Sequence, residues 1–189
     1  MAYEIFPTVV GEYDIEHTID DHGATYVATN NHTRQSIDFQ DTELENKLIK
    51  CVEEYSKSIG NTEMPFTCTQ IWINRFSMNG HIHPHYHSNS MFSCVYYYET
   101  TNLSGGTVFE NPLPYATDML QIPKTSARYH NATKFSIGCQ KGKVLVFPSW
   151  LRHYSEFNSS SEERVTISAN FMPYRLGTWD QYNYLKIKE

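Results

Sequence analysis

The chain has 189 residues, 40% of them hydrophobic and 19% charged, with a net charge of −6 when histidine is neutral. That length and apolar share suit one domain with a sizeable core, so a single domain over residues 1–189 is expected. The acidic balance and the lack of a basic stripe exclude a nucleic-acid backbone as the main partner, and no signal-peptide pattern or membrane-length apolar run suggests a membrane partner.

Cys51, Cys68, Cys94 and Cys139 are scattered with no CxxC, which points to reduced thiols in a cytoplasm rather than a disulfide frame or a zinc ribbon. Tyrosine is abundant, at 14 residues, and long helical patterns are few, so the composition leans towards β structure.

The first forty residues read as short strands and turns, with "ATYVAT" (24–29) the best strand. Residues 41–60 predict a helix: Leu44, Leu48, Val52, Tyr55 and Ile59 recur at spacings of three and four. Thr42 with Glu45 fits a capping box at its start, and Gly60 fits the stop. After it come strand patterns rich in β-branched and aromatic residues at 67–76, 91–99, 105–110, 143–149 and 164–171. Residues 111–141 have weak periodicity and read as a long excursion, of the kind that often forms a lid; Tyr115, Arg128, Tyr129 and His130 are candidates to line it. One helix beside many short strands predicts a mainly β sandwich or barrel with helical cover.

"GHIHPHYHSN" (80–89) carries His81, His83, His85 and His87 at every second position. On an extended segment these four share one side, and two imidazoles two residues apart can reach one ion. A solvated polar edge would carry the same run, and Pro84 disfavours a regular central strand. A third donor is available at His153, after the strand at 143–149. Eleven residues further, Arg164 opens a strand on which Arg164, Thr166, Ser168 and Asn170 alternate with Val165, Ile167, Ala169 and Phe171. The apolar set suits packing against the outside of the sandwich or a helix, and the polar set needs a polar lining to look into, unless Arg164 faces water on an exposed sheet surface.

Trp72 with Asn74, "HYHSNSMFSCVYYY", "SGGTVFENP", "GKVLVFPSWLRH" and "RVTIS" occur in this order over residues 72–171. Together they resemble the 2-oxoglutarate/Fe(II)-dependent oxygenases, closest to the small prolyl-hydroxylase-like branch, many of whose members have no assigned substrate. The resemblance implies a double-stranded β-helix (jelly roll) with a supporting N-terminal helix. It implies that His85, His87 and His153 hold Fe(II), with His81 and His83 on the approach to the mouth. It also implies that Arg164 pairs with the distal carboxylate of 2-oxoglutarate, helped by Thr166 and by Tyr97, with Tyr96 the alternative if the strand register differs. The implied reaction is a dioxygenase hydroxylation of a small molecule or a protein side chain, with ascorbate as reductant and release of succinate and CO2.

Two departures stand out. His87 occupies the place of the usual Asp or Glu ligand, and Cys94 replaces a glycine of the branch. Three neutral imidazoles leave a site one unit more positive, which favours an anionic co-substrate. The alternatives are a cupin-type metal dioxygenase or isomerase and a catalytically inactive binding module on the same scaffold. A cupin would want a Glu four or five residues after the second His, where Met91 and Phe92 stand, and it gives no reason for Arg164 and Thr166.

Overall fold

The structure, a computed structural model, describes residues 7–61, 63–113, 132–177 and 184–188. Three short strands come first, β1 (Gly11–Asp14), β2 (Tyr26–Asn30) and β3 (Thr33–Ser36), followed by the helix α1 (Thr42–Ser58). Then come β4 (Phe66–Phe76), β5 (Phe92–Glu99), β6 (Thr107–Glu110), β7 (Lys134–Ile137), β8 (Lys143–Pro148), β9 (His153–Ser155) and β10 (Arg164–Pro173). A small hairpin of β11 (Arg175–Gly177) and β12 (Tyr184–Lys186) ends the described chain.

Helix α1 forms where the apolar spacing demands it, but its cap lies one residue earlier than expected. Asp41, not Thr42, is the N-cap: its carboxylate accepts the Leu44 N–H at 2.9 Å. A carboxylate there also meets the positive end of the helix, which a threonine hydroxyl does not. The helix ends as expected at Gly60, whose φ of 89° only glycine adopts readily. Gly60 N–H bonds the Lys57 carbonyl and Asn61 N–H bonds the Ser56 carbonyl, the two reciprocal bonds of a Schellman stop.

Seven strands make one antiparallel sheet in the order β1-β8-β5-β10-β4-β3-β2. Leu44, Leu48, Val52 and Tyr55 of α1 pack on one face of it, against Val165, Ile167, Ala169 and Phe171 of β10 and Tyr96 of β5. Burial of each such side chain contributes about 1.5–3 kcal/mol, so this layer anchors the large sheet. Over the other face lies a small sheet of order β7-β6-β9. Phe109 of β6 meets Phe147 of β8 edge to face at 5.0 Å, in a second apolar cluster with Tyr97, Leu145 and Leu151. Two antiparallel sheets face to face with helical cover form the jelly roll that the sequence led us to expect.

Several elements differ from expectation. The first predicted strand begins two residues late, at Tyr26. The 111–141 excursion is shorter than it read, because Lys134–Ile137 pairs with β6 as the edge of the small sheet. That strand is mostly exposed, so it shows no apolar alternation. Tyr115, Arg128, Tyr129 and His130 lie outside the described residues.

Candidate functional site

The histidine run is extended backbone without regular pairing. It meets β9 of the small sheet: Ile82 bonds with Ser155, and His85 and His153 exchange two backbone hydrogen bonds of 2.9 Å each across an antiparallel bridge. Two residues on, the His87 N–H donates to the Ser149 carbonyl at 3.0 Å. These anchors fix the register. They bring His85, His87 and His153 together, with one ligand nitrogen from each lying within 4.8 Å of the other two. Among the described residues this is the one group of His, Cys, Asp or Glu side chains disposed to hold an ion.

His81 and His83 stay outside it. The His81 ring packs on Phe157, with ring centroids 4.2 Å apart, and the His83 side chain is exposed. His83 still serves the cluster through its backbone, since its carbonyl lies 2.8 Å from His85 Nδ1. The Leu151 carbonyl lies 2.8 Å from His153 Nδ1 in the same way. A carbonyl only accepts, so both rings carry their proton on Nδ1 and leave Nε2 free as a donor to a metal.

Burial keeps the rings neutral. It pulls His153 down to about 3, helped by the neighbouring imidazoles, and His87 down to about 4, helped by His85. Phe147, with its ring centroid 4.6 Å from that of His153, supplies part of the dry surrounding.

Arg164 sits deeper in the same cavity and is only 1% exposed. Its guanidinium lies over the Phe76 ring, 4.0 Å from the centroid. Nη1 donates to the carbonyls of Ser104 and Gly105, and Nη2 donates to the carbonyl of Glu156. No carboxylate pairs with it among the described residues, and its Nε has no hydrogen-bond partner. A guanidinium has five N–H groups. Three are spent on backbone carbonyls, so the Nε–H and one Nη2 hydrogen remain: the edge that grips a carboxylate side-on. Desolvation lowers the Arg164 pKa to about 10, which still leaves it charged at neutral pH.

Tyr97 and Thr166 line the cavity beside Arg164. The Tyr97 hydroxyl lies 2.7 Å from Thr107 Oγ1, and burial pushes its pKa up to about 12, so it stays a neutral phenol. Tyr96 points the other way, into the core beneath α1. Thr166 Oγ1 accepts from Asn74 Nδ2 at 3.3 Å. Asn74 also donates to Ser168 and accepts from Gln35 and Trp72. Gln35 was not foreseen: β3 reads "TRQS", with no motif to single it out. Glu156 and Thr107 were equally silent, because each acts through a neighbour brought in from afar. No acidic residue lines the cavity among the described residues, which offers about 470 Å³ of space, its open mouth included.

Residues 70–170 match the family described as "Putative 2OG-Fe(II) oxygenase". The chain belongs to this family of 2-oxoglutarate-dependent oxygenases. No curated protein matches it in sequence. Solved structures similar to the oxygenase share its fold at low identity. An oxidoreductase of the 2OG-Fe(II) oxygenase family from Burkholderia pseudomallei has a TM-score of 0.57 at 12% identity, over 79% of this chain and 72% of the other. The non-heme alpha ketoglutarate dependent epimerase SnoN from nogalamycin biosynthesis has a TM-score of 0.55 at 12% identity, over 82% and 67%. HygX from Streptomyces hygroscopicus, solved with nickel, 2-oxoglutarate and hygromycin B, has a TM-score of 0.51 at 11% identity, over 80% and 74%.

The oxygenase's own residues fit the two groups that its family uses. Three neutral imidazoles suit a divalent first-row metal, and a buried guanidinium with a free edge suits a carboxylate. The absence of a carboxylate from the histidine cluster sets this site apart from the common arrangement of two His and one Asp or Glu.

Proposed function

We propose that this oxygenase holds Fe(II) with His85, His87 and His153, and holds 2-oxoglutarate with Arg164, Thr166 and Tyr97. The observation that carries the proposal is the pairing, in one cavity, of three converging neutral imidazoles with a buried guanidinium whose Nε has no partner. Bound there, Fe(II) supplies O2 activation: one oxygen atom enters the substrate as hydroxyl and the other enters succinate as 2-oxoglutarate loses CO2.

The chain's own residues do the binding and orienting. The Nδ1–H bonds to the His83 and Leu151 carbonyls fix the rings with Nε2 towards the metal. The free edge of Arg164 takes the distal carboxylate of the co-substrate, and the Tyr97 and Thr166 hydroxyls stand within the same lining. Since no acidic residue lines the cavity among the described residues, no carboxylate there competes with the dianion for the metal and the arginine.

We assign the whole of residues 1–189 to one oxygenase domain. The substrate is a small molecule or a protein side chain that is hydroxylated in this cavity. The four cysteines are free thiols, which supports a reducing compartment, the cytoplasm.

The test uses turnover without substrate. With Fe(II), ascorbate and 2-oxoglutarate, slow formation of succinate is expected, and it should vanish in His153→Ala, which leaves Arg164 in place. Equal background succinate from both proteins, with 2-oxoglutarate bound by each, would make the chain a binding module and overturn the proposal.

A further inference from the structure

Arg164 can offer a free edge only if something holds its other edge, and the hydrogen bonds converge on one residue outside the cavity lining. We propose that Glu156 is a positioning residue for the co-substrate anchor: it clamps the Ser104–Gly106 turn and the Arg164 guanidinium together, so that the Nε edge faces the cavity. The proposal rests on the reading that Arg164 binds 2-oxoglutarate.

Glu156 follows directly on β9 and grips Gly106 at both of its backbone groups. Its N–H donates to the Gly106 carbonyl at 2.9 Å, and its Oε2 accepts the Gly106 N–H at 2.8 Å. Its Oε1 accepts from the Ser136 hydroxyl at 3.1 Å, which ties in β7. Its own carbonyl accepts from Arg164 Nη2 at 3.0 Å.

The turn that it grips carries the other two acceptors, the carbonyls of Ser104 and Gly105, which take Nη1. This turn is packed backbone against backbone. A Cβ on Gly106 would lie 2.0 Å from the Ile137 carbonyl oxygen, and one on Gly105 would lie 2.6 Å from that of Phe157. Gly105 also has a φ of +68°. Only glycines let the turn come close enough to deliver both carbonyls.

The division of labour within Glu156 explains why the arginine has no carboxylate hydrogen-bonded to it, although the Glu156 charge lies close enough to favour its charged form. The side-chain carboxylate is occupied by Gly106 and Ser136, and only the neutral carbonyl touches the guanidinium. A carboxylate placed on Arg164 itself would compete with the incoming dicarboxylate. Held on Gly106, it orders the anchor without occupying its hydrogen-bonding edge.

The test is anaerobic calorimetric titration of 2-oxoglutarate into the Fe(II)-loaded protein, comparing wild type with Glu156→Ala, Glu156→Gln and Arg164→Ala. Loss of a charge-assisted bond predicts about tenfold weaker 2-oxoglutarate binding in Glu156→Ala. Iron affinity should be unchanged, and kcat at saturating 2-oxoglutarate should be nearly retained while its KM rises. Glu156→Gln keeps an amide oxygen for the Gly106 N–H and should recover most of the affinity.

If Arg164→Ala weakens binding and Glu156→Ala does not, the clamp is wrong and the anchor stands. If neither weakens it, the anchor reading fails as well. Equal losses of iron and 2-oxoglutarate affinity in Glu156→Ala would show a merely structural role and overturn the proposal. Should Glu156→Ala not fold, Ser136→Ala serves instead: it frees one carboxylate oxygen and should weaken 2-oxoglutarate binding about threefold, the effect of one modest hydrogen bond, whereas unchanged affinity would overturn the clamp.

Discussion

Along β10, Val165, Ile167, Ala169 and Phe171 pack into the apolar core under α1, while Arg164, Thr166, Ser168 and Asn170 occupy the opposite face and are almost as deeply buried. Burial alone therefore does not separate scaffold from site. What separates them is how each face is satisfied. The helix side is filled by dispersion and hydrophobic contact and asks nothing of a ligand. On the cavity side Ser93 and Gln70 partner Asn170, and Asn74 bonds both Thr166 and Ser168. Arg164 alone keeps a buried donor without a partner. A buried unpaired donor is costly, so a face that retains one is shaped for something that arrives later.

The contrast can be broken at both faces. Ile167 is fully buried on the helix side, and Ile167→Ala should lower unfolding stability by roughly 2–5 kcal/mol, as core truncations do. Denaturant unfolding measures the loss, while 2-oxoglutarate affinity per folded molecule should be unchanged. A specific loss of that affinity would show that the two faces are coupled.

On the cavity side, Arg164→Lys keeps the charge but not the fork, and should weaken 2-oxoglutarate binding by about 1.5–3 kcal/mol in an equilibrium titration. Wild-type affinity in that variant would mean that the charge suffices and the free edge is incidental.

The smallest effect, per unit of pH, is also confined to the cavity side. Burial holds His153 at about 3 and His87 at about 4, below the ordinary 6.5. Below about pH 6.5 the unfolded chain therefore takes protons that the folded chain refuses. Stability of the metal-free protein is full above that pH and declines as pH falls towards the folded values, by about 1.4 kcal/mol per unit for each imidazole that stays neutral. Urea unfolding between about pH 7.5 and about pH 5.5 measures the slope, which should be shallower in His153→Phe. An identical slope in that variant would place the titrating groups elsewhere.

By itself the sequence determined whatever depends on local periodicity. The three-four spacing of Leu44, Leu48, Val52 and Tyr55 located α1, and alternation on β10 divided its residues between an apolar face and a polar one. The order of its motifs told the family and hence the jelly roll. Local periodicity also hid what it could not resolve. Four histidines at period two share a face in any register, so a slip of two residues looks the same in sequence. The motif order implied His85 and His87, and the bridge between His85 and His153, with the bond from His87 N–H to Ser149, is what brings that pair to the third imidazole. Tyr97 was separated from Tyr96 only when the β5 register with β10 turned one into the cavity and the other under the helix. Gln35 and Glu156 carried no signal at all. Their chemistry consists of hydrogen bonds to Asn74 and Gly106, groups distant in the chain, and such partners exist only once the long-range pairing of the sheets has been made.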